Sequence, residues 1–434
     1  MNLDFVGRSF MKIKTKKISF EKFEQIKAPK RKKPQKPWRI LGLLICILSI
    51  PELFSTRFKF TTENMEKAGK GHWHILMNHS CFLDLKIAFR IFFPRRFMIV
   101  CTTDALIGKK LLMRLLGCIS TNKFVTDIPL VSDIIYPIKK LKTSVLMYPE
   151  AGYSFDGRAT AMPENLGVLI KKLGVPVVTV ITDGAFLHDP LYNGLQPRRV
   201  RVSANVKCLV SAEDTKTMSA DQISALIKEE FTFDGFARQK ETKTAVDENF
   251  RADGLHRILY QCPACKSEGE TEGKGATLTC HSCGKVWELG IYGELRALTG
   301  KTEFSHIPDW YDFERECVRR EINEGKYSLE TEVDIGVIAD HKALYMIGKG
   351  TLKHTTEGFE LTGCEGRLHY TQSPTSSYCL NSDYFWYEIG DVIGIGDRKC
   401  LYYCFPRDKA NVTKARLATE EIYKMHNEKI PTKA

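Results

Sequence analysis

Four short apolar runs, Trp73–Met77, Phe97–Cys101, Ser144–Tyr148 and Val175–Ile181, alternate with amphipathic stretches such as Leu83–Phe93 and Leu166–Leu173. The runs have the length of buried strands, and the stretches between them carry apolar residues at helical spacing. Strands joined through helices run parallel, because a helical crossover returns the chain to the same end of the sheet. Residues 61–235 are therefore expected to form an α/β domain with a largely parallel sheet. RRVRVSANVKCLV (198–210) alternates with period two and reads as an edge strand, and SADQISALIKEEF (219–231) as a helix capped by its serine.

Past residue 235 the texture changes. Residues 236–255 are polar and read as a connector. Within 256–292 stands Cys262-x2-Cys265-x14-Cys280-x2-Cys283. Two such knuckles, each on a tight turn, bring four thiolates to one tetrahedral ion, so these four cysteines are expected to hold a structural zinc. Gly284 lets the second turn close, and His281 reads as a turn residue. Residues 293–434 open with a helix at 309–322, continue as short β-rich runs between about 327 and 405, and close with a helix at 414–427. A small barrel or sandwich is expected there, with a pleckstrin-homology-like fold among the options.

The formal charge is +12, but residues 1–60 hold 15 of the 64 Lys/Arg and only 4 of the 52 Asp/Glu. The remainder is close to neutral and offers no field for a polyphosphate chain, which argues against nucleic acid as a partner. The basic leader runs through Lys27–Lys36 to Trp38 and an apolar stretch, Ile40–Ile50, that Pro51 closes. Eleven apolar residues are too few to span a bilayer, and no small-residue cleavage pattern follows. A basic cluster beside an aromatic and a short apolar helix suits a segment lying in an anionic membrane surface. The expected location is the cytoplasmic face of a membrane, monotopic or peripheral. The other cysteines, such as Cys46, Cys101, Cys118 and Cys208, are scattered in apolar segments and read as reduced buried thiols.

The run ILMNHSCFLDL (75–85) places His79 five residues before Asp84. Both on one helix would point about 140° apart. They can meet if His79 lies on a strand-to-helix turn, with Ser80 as cap and Asp84 on the first turns of the helix. An imidazole held in one tautomer by a carboxylate is a competent general base.

In order and spacing, residues 72–185 resemble the glycerolipid acyltransferases typified by 1-acylglycerol-3-phosphate acyltransferase. NHSCFLD matches the family's Asn-His-x4-Asp, GCISTNK (117–123) its second block, YPEAGYS (148–154) its Phe-Pro-Glu-Gly-Thr-Arg-Ser, and GVPVVTV (174–180) its closing apolar block. The resemblance implies that His79 deprotonates an acceptor hydroxyl, which attacks an acyl thioester directly while Asp84 orients the imidazole. It implies acyl-CoA or acyl carrier protein as co-substrate, a lysolipid as acceptor, and substrate contacts from Lys123, Glu150, Ala151, Gly152 and Tyr153. Backbone amides near PEAG are the expected oxyanion donors. Lys123 stands where the family has arginine, and Ala151, Gly152 and Tyr153 where it has glycine, threonine and arginine. A lysine keeps the charge but loses the two-pronged fork that grips a phosphate. Arg158 belongs to an Asp-Gly-Arg turn that would face solvent. Two other readings remain open: a non-catalytic lipid-binding or scaffold protein on a degenerate acyltransferase fold, and a nucleic-acid-binding zinc-ribbon protein.

Overall fold

The structure is a computed structural model that describes residues 12–125, 128–194, 196–407 and 412–428. The first and last residues of the leader and of the C-terminal region, 1–11 and 429–434, lie outside the described residues.

The α/β region is built on a seven-stranded sheet. Its strands are β2 (Lys59–Glu63), β3 (His74–Met77), β4 (Phe97–Thr102), β5 (Cys118–Thr121), β6 (Ser144–Met147), β7 (Val177–Asp183) and β8 (Ser203–Val210), in the order β2-β8-β7-β3-β6-β4-β5. Every pairing is parallel except β7 with β8. β3 is central and wholly buried, which is why it reads as an unbroken apolar run. β8 is not the edge strand expected from its alternation. β2 covers it, and β2 itself (KFTTE) is exposed along its length, so it has no apolar signature. The helix Ala220–Glu230 starts at Ser219 with a reciprocal capping box to Gln222.

Residues 236–255 are not a free connector. They begin with the helix Gly235–Thr242 and bury Phe236, Val246, Ala252 and Leu255 in a core shared with everything downstream. The cysteine module adds a four-stranded antiparallel sheet, β9 (Thr271–Lys274), β10 (Thr277–Cys280), β11 (Val286–Leu289) and β12 (Leu295–Ala297). The helix Ile307–Asn323 then packs on it, with Trp287 and Trp310 edge to face at 4.9 Å between centroids.

The C-terminal region is antiparallel: β13 (Leu329–Val337), β14 (Leu344–Thr355), β15 (Gly358–Gly363), β16 (Leu368–Gln372), β17 (Asn381–Trp386), β18 (Gly390–Gly396) and β19 (Leu401–Pro406), in the order β16-β15-β14-β13-β19-β18-β17. The helix Val412–Glu428 follows and packs on Ile307–Asn323 and on β17.

The leader is not a loose tail. Its strand β1 (Thr15–Lys17) pairs in parallel with Leu344–Met346, the part of β14 that β15 does not cover. The basic stretch then crosses the α/β domain, where Arg31 pairs with Asp133 at 2.7 Å and Lys36 donates to the Leu141 carbonyl. The apolar helix runs from Arg39 to Ser55 and does not stop at Pro51. Pro51 and Ile47, whose carbonyl loses its helical partner there, are both exposed, so the cost of the proline is relieved by solvent. Among the described residues no helix is long and apolar enough to cross a membrane. The helix instead presents Ile40, Leu43, Leu44, Ile47, Leu48 and Phe54 outward, while Leu53 and Ser49 face the protein.

Candidate active site

β3 ends at Met77, and the next three residues form the turn that carries His79. Asn78 anchors that turn. It is fully buried, its Oδ1 accepts from the Thr182 amide and hydroxyl at 2.9 and 3.1 Å, and its Nδ2 donates to Ser80 Oγ. Ser80 is therefore not the cap of the following helix, Leu83–Phe92. That helix has no side-chain cap among the described residues; Asp84, in its first turn, instead ties down the turn before it, its Oδ2 accepting from the Ser80 and Cys81 amides at 2.7 and 3.1 Å. The same oxygen lies 3.1 Å from His79 Nδ1. The carboxylate is fully buried, and its other oxygen has no partner among the described residues.

The His79 ring is sandwiched between Tyr148 and Tyr153, each with its centroid at 4.1 Å. Burial lowers the His79 pKa, Asp84 opposes that shift, and the Lys123 ammonium adds to it. The ring is thus neutral at pH 7, with Nδ1 directed at Asp84. His79 lines a cavity of about 2160 Å³, and Nε2 is the ring nitrogen not turned to Asp84. Lys123 and Tyr153 share that wall, the lysine Nζ standing 6.0 Å from the tyrosine ring. Leu44, Ile47, Leu48, Phe82 and Leu112 carry the cavity outward to the exposed face of the Arg39–Ser55 helix.

Glu150 and Gly152 do not line this cavity. Glu150 is 1 % exposed, and both its oxygens are occupied, by the His79 amide at 2.9 Å and the Thr160 amide at 2.8 Å. It fixes the loop that bears His79 and cannot also hold substrate. Burial raises its carboxyl to about 7, against the two amides that favour the anion. Ala151 lines the cavity with φ of 54°, in the left-handed region where a glycine would be unstrained. The amides of Ala151, Gly152 and Ser154 are already bonded to Tyr148, Glu150 and His79 carbonyls. The Glu150 and Tyr153 amides have no acceptor among the described residues, and of the two residues Tyr153 lines the cavity; the Ala151 and Gly152 amides, two of the expected oxyanion donors of PEAG, are consumed within the turn. Arg158 does not face solvent as expected. It pairs with Asp156 at 2.7 Å and forks onto Asp312 with two contacts of 2.7 Å, tying the loop to the Ile307–Asn323 helix.

The second cluster is the cysteine set. The four Sγ atoms of Cys262, Cys265, Cys280 and Cys283 lie within 4.8 Å of one another, and two pairs are 3.8 Å apart. A tetrahedron of sulfurs about 2.3 Å from a central ion has edges of about 3.8 Å, so the set could hold a metal ion. The knuckles are copies of one turn. Lys266 and Gly284 donate to the Cys262 and Cys280 carbonyls, while the Cys262 and Cys280 amides donate to Ser267 and Lys285. Lys266 and Gly284 both have positive φ. His281 faces Glu272 at 3.0 Å, away from the sulfurs.

Asn78 belongs to the Asn-His-x4-Asp run, but its buried partners and several other contacts at the site have no signature in sequence. Asn78, Thr160 and Thr182 position the His79 turn through buried hydrogen bonds. The C-terminal region also forms part of the cavity, with Tyr378, Asp383, Trp386 and Tyr387 on its wall. The two regions are locked together there. Trp386 Nε1 donates to Asp104 at 3.3 Å, and Arg416 donates to the Tyr153 carbonyl and lies over the Phe155 ring at 4.2 Å.

No protein-family model matches the chain, and no curated protein matches it. Among solved structures it is similar to the crystal structure of the 1-acyl-sn-glycerophosphate (LPA) acyltransferase PlsC from Thermotoga maritima, at 15% identity and a TM-score of 0.35. The match covers 44% of this chain and 76% of that one, and so slight a likeness carries no function by itself.

Proposed function

We propose that the chain is a membrane-associated O-acyltransferase that moves a fatty acyl group from an acyl thioester, of CoA or acyl carrier protein, to a hydroxyl of a lysoglycerolipid. The observation that carries this reading is the pair His79–Asp84 at 3.1 Å, with a neutral imidazole on the wall of a large, mostly apolar cavity. In the proposed reaction Nε2 takes the proton of the acceptor hydroxyl as its oxygen attacks the thioester carbonyl. The tetrahedral oxyanion collapses, the ester C–O bond stays, the C–S bond breaks, and the imidazolium returns the proton to the leaving thiolate. Asp84 stabilises the imidazolium formed in between. The unbonded amide of Tyr153 is the candidate oxyanion donor. Cys81 and Ser80 are spare to this scheme: burial and the neighbouring Asp84 push the Cys81 thiol well above its usual range, and Ser80 is engaged with Asn78.

Further parts of the reading have their own support. The cysteine set suits a structural zinc, since all four positions are filled by thiolates and none is left for substrate. The exposed apolar face of Arg39–Ser55, which adjoins the cavity, suits a surface laid against lipid. The antiparallel strands and closing helix are consistent with a pleckstrin-homology-like domain.

The test is transfer itself. Purified full-length protein is incubated with labelled acyl-CoA or acyl carrier protein and a panel of lysolipids, and products are identified by mass. His79→Ala should lower turnover by roughly a hundredfold or more with an unchanged melting temperature. Retention of most turnover would remove His79 from the chemistry.

A further inference from the structure

The cavity that His79 lines is walled by two regions far apart in sequence. From the α/β domain come Lys123 and Tyr153. From β17 comes Asp383. The strand reaches in because its pairing with β18 slips between Asp383 and Trp386, where Phe385 adopts a positive φ of 51°. A bulge of this kind bends a strand and re-aims its side chains. Asp383 is 7 % exposed. Its Oδ1 accepts from the Tyr384 amide at 2.9 Å, and no other partner for its carboxylate is present among the described residues. Burial raises the carboxyl to about 6, while the Lys123 ammonium pulls it back down. The Tyr153 phenol is pushed up by burial and then by Asp383, so lysine, tyrosine and carboxylate act on one small region. A second buried carboxylate, Asp104, stands on the same wall. Arg315, also on the wall, is held by Glu420 at 2.8 Å and Glu421 at 2.9 Å.

This charge set does not suit a phosphate monoester. Such a group carries nearly two negative charges and is best met by guanidinium forks. Here Lys123, the lysine whose charge reaches both His79 and Asp383, is balanced by the Asp383 carboxylate, which would repel a phosphate held beside it. The same groups suit an uncharged polyol. A carboxylate accepts hydrogen bonds from one or two hydroxyls, a lysine donates to a third oxygen, and the Tyr153 phenol can do either.

Granting the acyl-transfer reading, we infer that Asp383, delivered by the C-terminal β region, is the residue that selects the acceptor headgroup, and that the acceptor is a lysolipid with an uncharged hydroxyl-bearing headgroup. Asp383 holds the hydroxyl next to the one that His79 deprotonates. The β region is then part of the acceptor site itself.

Two soluble probes separate the cases: 1-decanoylglycerol and 1-decanoylglycerol 3-phosphate. Their binding to the full chain is measured by titration calorimetry, and their acylation by mass. Wild type should bind and acylate the uncharged probe at least tenfold better. Asp383→Asn should shrink that ratio at least tenfold, and Lys123→Gln should widen it. Opposite shifts from two variants cannot arise from misfolding, which would weaken both probes together. A tenfold preference for the phosphate in wild type, a ratio unmoved by Asp383→Asn, or failure to bind either probe would overturn the assignment. Binding that follows the expected order with no acylation from either thioester would uphold Asp383 as the headgroup residue and sink acyl transfer instead.

Discussion

Replacing Asp84 by Asn tests the proposed base more sharply than deleting it. Asp84 Oδ2 accepts from the Ser80 and Cys81 amides at 2.7 and 3.1 Å and faces His79 Nδ1 at 3.1 Å. An asparagine keeps the shape and can keep the amide contacts, so the fold loses only the charge-assisted part of those bonds, on the order of 1 kcal/mol each. Against that stands the relief of a fully buried charge, and net stability should change by less than about 2 kcal/mol. The imidazolium that forms during transfer loses its counter-charge. Two unit charges at 3.1 Å attract by about 5 kcal/mol at an effective dielectric of 20, and neighbouring dipoles recover part of it. A barrier higher by roughly 3–5 kcal/mol lowers kcat by about 10² to 10⁴. The pH profile supplies a second readout. Burial depresses the His79 pKa and Asp84 holds it up, so activity should rise with pH through an inflection below the usual histidine value and be level at neutrality. In Asp84→Asn that inflection should move to lower pH. A variant within tenfold of wild type, with the inflection unmoved or raised, would show that His79 and Asp84 do not act as a charged pair.

Acid should destabilise the protein through two other histidines. His74 is fully buried with neither ring nitrogen bonded, which depresses it to about 4, and burial depresses His354 to about 3. A histidine with a depressed folded pKa binds fewer protons folded than unfolded, so stability is full above the unfolded value and falls as pH drops below it. Between pH 7 and pH 5 each should cost about 2 kcal/mol, seen as a falling melting temperature that His74→Leu partly flattens; a curve unaltered by that variant would argue against it. The cysteine set should hold one zinc per chain by metal analysis, and Cys280→Ser should lose it. Because Leu278 and Trp287 share a core with Trp310, the loss should also expose the Ile307–Asn323 helix to protease, and a helix still protected after metal loss would contradict this. Glutamates at Leu44, Ile47 and Leu48 together should release the protein from anionic vesicles, whereas high salt should only weaken binding by the wild type. Unchanged vesicle binding by the triple variant would place the contact elsewhere.

What could be read from sequence was what burial and local turns impose. β3 and its neighbours are covered on both faces, so they appear as plain apolar runs, and the knuckles are closed by bonds within six residues. The His79 turn was legible for the same reason, its partner lying five residues away. β2 was invisible because both its faces are exposed, and that hid the fact that β8 is not an edge. Composition suggested a connector at 236–255, but four apolar side chains in a polar segment suffice to bury it. Glu150 shows the limit of motif reasoning: the resemblance made it a substrate contact, whereas in the structure both its oxygens accept from backbone amides.

The cavity wall was least legible of all, because it depends on contacts between segments up to 282 residues apart. Taken by itself, a tyrosine at position 153 and a lysine at 123 look like a weakened anion site. With Asp383 and Asp104 lining the same cavity, the same two residues describe a site of different charge. The lack of a cation at position 153 and the carboxylates lining the same cavity act in the same direction, away from a phosphate. Damage to an anion clamp has no reason to be accompanied by an ordered carboxylate, held at its Oδ1 and placed by a bulge. Together the two features favour the proposed headgroup without charge.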